Sequence, residues 1–184
     1  MYKLLLIISG WKVDVLPPKE YKRCVLVGAP HTSNWDFFYA ILLLKILKVP
    51  FKFAIKKQWF RFPFNLIIGP LGGIPINTNK NDSNGNVKKM ADFFKKNKEF
   101  AMAITPEGTR SLRKKWKSGF YHLAKDNNLP ICFGFLDYKT KIAGIGGPIF
   151  PSDDKDADMK KIMEFYNDKK PKYPEKFSLD KRFI

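Results

Sequence analysis

Cysteine and histidine are scarce, two of each in 184 residues: Cys24, Cys132, His31 and His122. Their positions give no zinc-ligand spacing, which excludes a metal site of the common finger or ribbon type. Each cysteine sits in an apolar stretch, Cys-Val-Leu-Val and Ile-Cys-Phe-Gly-Phe. Two reduced, buried thiols in a cytoplasmic chain are expected there rather than a disulfide. Acidic residues are also short, 17 Asp and Glu against 34 Lys and Arg, leaving a net charge of +17 that no single segment accounts for. Such an excess favours an anionic partner, either a phospholipid surface or a nucleic acid. Several nucleotide and hydrolase signatures are missing. No G-x-x-x-x-G-K-[ST] or G-x-S-x-G occurs, and Gly144–Pro148 is glycine-rich without the G-x-G-x-x-G spacing. Long apolar runs are absent as well. Met1–Ile8 is short and carries Lys3, and Phe37–Ile55 is interrupted by Lys45, Lys48 and Lys52. Neither reaches the ~20 residues of a spanning helix, so membrane association is expected to be peripheral.

What remains is a chain rich enough in apolar and aromatic residues, 45% and 15%, to bury a core as a single domain over 1–184. Cys24–Ala29, Phe51–Ile55, Ile74–Ile76, Phe100–Ile104 and Ile131–Leu136 read as strands, with Lys141–Ile145 as a hairpin partner. Pro75 places the Ile74–Ile76 strand at a sheet edge or start. Between the strands, helices are expected from Ser33 to about Leu47, around Val87–Phe94, over Gly119–Asn127 and over Asp156–Asn167. Ser33 with Asp36 three residues on has the pattern of a capping box. The alternation predicts an α/β fold, a mostly parallel central sheet with helices on both faces. Residues from 168 to 184, opening Lys-Lys-Pro-Lys-Tyr-Pro-Glu-Lys after Asp168, read as a basic extended tail.

Two polar clusters follow strands, where ligand sites of parallel sheets gather. In His31-Thr-Ser-Asn-Trp-Asp36 the imidazole is suited to general-base work near neutral pH, and the carboxylate is placed to orient one ring nitrogen. This is base and orienter without a protein nucleophile, the hydroxyl arriving with a substrate. The same spacing also fits a loop histidine beside a capping aspartate. In Thr105-Pro-Glu-Gly-Thr-Arg-Ser111, Gly108 allows close backbone approach and Arg110 offers a planar fork for phosphate. Glu107 and Arg110 also fit a structural ion pair.

Taken together, His31–Asp36 and Glu107-Gly108-Thr109-Arg110 resemble the H-x4-D and E-G-T-R blocks of the glycerolipid acyltransferases, the lysophosphatidic acid acyltransferase superfamily. The order and the separation of the blocks agree as well. Gly72–Asn77 lies where the family has its acceptor-binding third block, and Leu129-Pro130-Ile131 where it has a further strand. The resemblance covers roughly residues 20–150 and implies an acyltransferase core there. It implies O-acyl transfer from a thioester, acyl-CoA or acyl carrier protein, to a lysophospholipid-like hydroxyl, with no metal or organic redox cofactor. His31 would be the base, oriented by Asp36. Glu107, Gly108, Thr109, Arg110, Gly73 and Asn77 would shape the acceptor site. Apart from the resemblance, Lys56 or Lys57 is a candidate cation near the thioester donor. The family's third block usually has an Arg soon after its Gly; here Ile76-Asn77-Thr78 follows, and Lys80 is a nearby cation. The acceptor thus stays open among lysophosphatidic acid, another lysophospholipid and an acylated amino-acid lipid.

Trp11, Trp59, Phe60, Phe62 and Phe64, interleaved with Lys56, Lys57 and Arg61, have the composition of a membrane interface, and equally of a packed core. With the surplus of cations this predicts a peripheral cytoplasmic enzyme on the inner face of a membrane. The competing expectation is a basic nucleic-acid-binding protein, which the same charge and aromatics would suit. A lipid-binding relative without activity is a third.

Overall fold

The computed structural model describes residues 2–13, 19–77 and 83–184. A seven-stranded sheet runs through the protein in the order β1-β7-β6-β2-β5-β3-β4. Its strands are β1 (Lys12–Val13), β2 (Arg23–Gly28), β3 (Phe51–Lys56), β4 (Gly73–Ile76), β5 (Phe100–Ile104), β6 (Ile131–Asp137) and β7 (Ile142–Ile149). The neighbours from β6 through β2, β5 and β3 to β4 are all parallel, β7 runs antiparallel to β6, and β1 pairs parallel with β7. β2, at the centre, reads Arg-Cys-Val-Leu-Val-Gly and is buried over Cys24–Val27. A continuous apolar run of that kind is what a strand covered on both faces requires. β4 takes the sheet edge, where the missing N–H of Pro75 is tolerated.

Two sets of helices cover the sheet, as expected. On one face lie α4 (Ser83–Lys96), α5 (Gly119–Asp126) and α6 (Lys155–Asn167). They contribute Met90, Phe94, Phe120, Leu123, Met159, Ile162 and Tyr166 to a core with Val25, Val27 and Met102. On the other lie α1 (Tyr2–Ile8) and α2 (Asn34–Ile46), whose Leu6, Leu42, Leu43 and Leu44 pack with Cys24, Leu26 and Cys132. A short helix, α3 (Asn65–Ile68), follows the β3 strand. Both cysteines are unpaired thiols and fully buried. α2 starts as the sequence predicts. Ser33 Oγ accepts from the Trp35 N–H at 3.2 Å, and the Ser33 N–H donates to Asp36 at 2.8 Å.

The segment from 168 to 184 is not an extended tail. Tyr138 N–H donates to the Lys170 carbonyl at 2.8 Å, and Tyr173 N–H to Thr32 Oγ1 at 3.3 Å. Further on, Phe177, Leu179 and Phe183 pack on the core, while buried Asp180 accepts the Trp116 N–H at 2.8 Å and pairs with Arg182. The apolar residues spaced among the lysines have a surface to cover, so the chain turns back instead of trailing into water. Trp11 also departs from an interface role. It is buried, against Tyr39 and Tyr138 at 4.8 and 4.9 Å between ring centroids. Among the described residues no helix is long and apolar enough to cross a membrane.

Candidate active site

The parallel register explains why segments distant in sequence meet. β5, β2 and β6 are adjacent, and their carboxyl ends deliver three loops to one edge: Thr105–Lys117, Ala29–Ser33 and the turn beginning at Tyr138. His31 and Asp36 come from the loop after β2 and the first turn of α2. His31 Nδ1 lies 3.4 Å from Asp36 Oδ2. The same oxygen accepts the backbone N–H groups of Thr32 at 2.7 Å and Ser33 at 2.8 Å, and Oδ1 accepts the Tyr138 hydroxyl at 2.7 Å. Asp36 is only 4% exposed, and donors to both oxygens offset the cost of burying its charge. Tyr138 is a hydrogen-bond partner of Asp36 that sequence reasoning missed. Its signal is a strand pairing, not a local spacing, since 102 residues separate it from Asp36.

Glu107 lies behind this loop. Its Oε1 accepts the His31 backbone N–H at 2.8 Å, and its Oε2 is buried without a partner. It makes no ion pair with Arg110. Burial raises its carboxyl to about 8; the His31 N–H opposes that rise and the negative charge of Asp36 adds to it. Gly108 follows with φ +64°, a left-handed conformation, and a Cβ there would meet the Lys117 side chain at 3.2 Å. Glycine at this point lets the Thr105–Lys117 loop turn across the sheet edge.

A cavity of about 530 Å³ opens beside the dyad, within the range of small-ligand sites. His31, Asp36, Gly108, Thr109, Arg110 and Lys56 line its polar part. The rest is apolar, with Phe37, Ile41 and Leu44 of α2 facing Phe53 of β3 and Ile68 of α3. Gly73 and Asn77 are not brought to it. Gly73 accommodates a close approach, since a Cβ there would lie 2.5 Å from Ile68 Cγ2. Asn77 exchanges two hydrogen bonds with Asn86 and borders a smaller, separate hollow of about 210 Å³ with Lys57 and Lys89. Lys80 and Thr78 lie outside the described residues.

A model of the family described as Acyltransferase matches residues 14–133, well over half of the chain. The chain belongs to the acyltransferase family. Its fold is also that of the 1-acyl-sn-glycerophosphate (LPA) acyltransferase PlsC from Thermotoga maritima. Against that crystal structure the TM-score is 0.58 at 18% identity, over 89% of this chain and 73% of the other. No curated protein matches the chain in sequence. This acyltransferase carries both blocks from which the resemblance was drawn, and both now lie at one edge of the sheet. Family membership displaces the nucleic-acid reading, because the post-strand clusters that reading left idle are here assembled around one cavity. Among the described residues no group of three or more His, Cys, Asp or Glu side chains is placed to share a metal ion.

Proposed function

We propose that this acyltransferase moves a fatty acyl group from a thioester, acyl-CoA or acyl carrier protein, to the hydroxyl of a lysophospholipid-like acceptor. The observation that carries this reading is the cavity, apolar between Phe37, Ile41 and Leu44 of α2 and Phe53 of β3, and polar where it meets His31, Asp36, Thr109, Arg110 and Lys56. An acyl chain lies in the apolar part with its carbonyl at the dyad. Arg110 meets the anionic head of the acceptor, a planar fork matched to phosphate or carboxylate. With Nδ1 turned to Asp36, Nε2 is the nitrogen that takes the hydroxyl proton as the acceptor oxygen attacks the thioester carbonyl. The C–S bond then breaks, and the imidazolium returns its proton to the departing thiolate. Bonds and protons balance without a metal or redox cofactor. Asp36 fixes the ring tautomer. Glu107 acts one step back, by holding the backbone of the residue that carries the base.

The partner surface in this reading is an anionic bilayer, with the enzyme peripheral on its inner, cytoplasmic face. Support comes from exposed apolar side chains beside the cavity. Phe62, Phe64, Leu66 and Ile67 stand out around α3 while Arg61 and Lys57 flank them. Exposed aromatic and aliphatic side chains with cationic neighbours suit the headgroup boundary, each cation there contributing about 1 kcal/mol.

The test is CoA release from acyl-CoA on anionic vesicles with a panel of lysolipid acceptors, His31→Ala alongside. Acceptor-dependent release that the variant loses, with the fold and vesicle binding retained, is the expected result. Release that survives in His31→Ala overturns the general-base role. If no acceptor works, acylated carrier protein replaces acyl-CoA, and failure there too overturns the proposed reaction.

A further inference from the structure

The family model ends at residue 133, yet Asp36 receives one of its three hydrogen-bond donors from beyond that point. The carboxylate is held unevenly. Oδ2 faces His31 Nδ1 and two backbone N–H groups, all within Asp36's own loop and helix turn, whereas Oδ1 has the Tyr138 hydroxyl at 2.7 Å. We propose that Tyr138 is a positioning residue of the reaction, fixing the Asp36 carboxylate and thereby the basicity and orientation of His31. The inference rests on the general-base reading of His31.

Tyr138 is placed for this by the fold. It leaves the carboxyl end of β6, next to β2 in the sheet, and its backbone N–H is tied to the Lys170 carbonyl at 2.8 Å. Its ring stands edge-on to buried Trp11 at 4.9 Å, with Lys141 Nζ 5.4 Å above it. With its backbone tied and its ring held against Trp11 and Lys141, the side chain loses little further freedom in donating, so its hydroxyl acts as a fixed dipole rather than a searching one. Burial and the bond to Asp36 both keep the phenol protonated, pushing it well above its ordinary range. It therefore acts as a neutral donor throughout the working range. A neutral donor on Oδ1 shares the charge of the carboxylate and fixes the plane in which Oδ2 meets His31 Nδ1, so its loss alters both the orientation of the imidazole and the pull of the carboxylate on its proton. The other ionisable groups around the dyad and Tyr138 are Glu107 from the loop after β5, Tyr39 of α2 and Tyr173 of the returning C-terminal segment. Arg110 and Lys56 face the same cavity.

The experiment uses the full chain on anionic vesicles and compares wild type, Tyr138→Phe, His31→Ala and a protein with 3,5-difluorotyrosine at 138. Tyr138→Phe keeps the ring but loses the donor. Its kcat should fall roughly ten- to a hundredfold, the effect of losing a hydrogen bond to a charged group, with KM for both substrates nearly unchanged. The acid limb of its kcat/KM profile should move to higher pH. Difluorotyrosine is a stronger donor of almost the same shape and should move that limb to lower pH. It also serves where Tyr138→Phe fails to fold. A residue that only packs would lower Tm and leave the profile in place; unmoved profiles with unchanged kcat overturn the proposal. His31→Ala separates the two levels. If it is inactive while the Tyr138 variants behave as wild type, the positioning role alone fails; if it is active, the base reading fails first.

Discussion

The two faces of the sheet are built by different rules. α4, α5 and α6 turn one side to the core and the other to water: in α6, Met159, Ile162, Met163 and Tyr166 are buried, and Lys160, Lys161 and Glu164 are exposed. Among the described residues none of the exposed large hydrophobic side chains belongs to these three helices. The opposite face carries α1, α2 and α3, and most of the exposed hydrophobics are theirs, Leu4, Ile7 and Ile8 of α1, Trp35 and Phe38 of α2, Leu66 and Ile67 of α3. An amphipathic helix completes a layer between sheet and solvent. A helix apolar on its outside as well calls for a third layer. That face also holds the cavity. The same asymmetry therefore separates a side closed over the core from a side that carries the cavity and the exposed apolar surface.

The contrast can be broken by substitutions of similar chemistry on either side. Phe120 in α5 is 1% exposed, and Phe120→Ala should cost about 3–5 kcal/mol of stability by urea denaturation. Leu66→Ala on the other face should stay within about 0.5 kcal/mol. Equal losses would erase the distinction. The second effect is on binding rather than folding. Leu66→Asp with Ile67→Asp should lower partition to anionic vesicles at least about tenfold in co-sedimentation, since burying each side chain is worth about 1.5–3 kcal/mol. Unchanged partition would move the contact elsewhere.

The smallest effect tests the edge where the two faces meet. Glu107, raised to about 8 mainly by burial, has a folded value above its unfolded one. Its contribution to stability is then full below the unfolded value, about 4.3, and is lost as pH rises through about 8. Glu107→Gln keeps an acceptor for the His31 N–H but has no proton to lose. Its stability should gain on wild type as pH rises through this window, by about 1 kcal/mol between pH 7 and 8, against a limit of about 1.4 kcal/mol per pH unit. Parallel stability curves would mean that the carboxyl is solvated.

How much of this was legible in the sequence depended on distance along the chain. The strand before His31, the cap at Ser33 and the helix that follows were readable because neighbouring residues decide them. The edge placement of β4 followed from one missing N–H. That the His31 and Glu107 loops share one end of the sheet followed from each coming after a strand, and their union from the resemblance; its physical cause is the pairing of β2 with β5, which no local pattern states. Tyr138 was invisible for the same reason. Trp11 and Phe62 show the limit of composition. Both are aromatics near lysines, yet one is buried under Tyr39 and Tyr138, and the other stands 81% exposed. Lysines and prolines made the last segment look extended, whereas Phe177, Leu179 and Phe183, spaced among them, decided its course.

Asp36 and Trp35 are consecutive residues of one helix, the first facing His31 and the second half exposed at the outer surface. Lipid that takes up Trp35 and Phe38 would thus lie against the same first turns of α2 that carry Asp36. For such an enzyme concentration is an area density. Diluting the acceptor with inert lipid at constant bulk amount should slow turnover, while diluting the whole suspension with buffer should slow it only as protein leaves the surface.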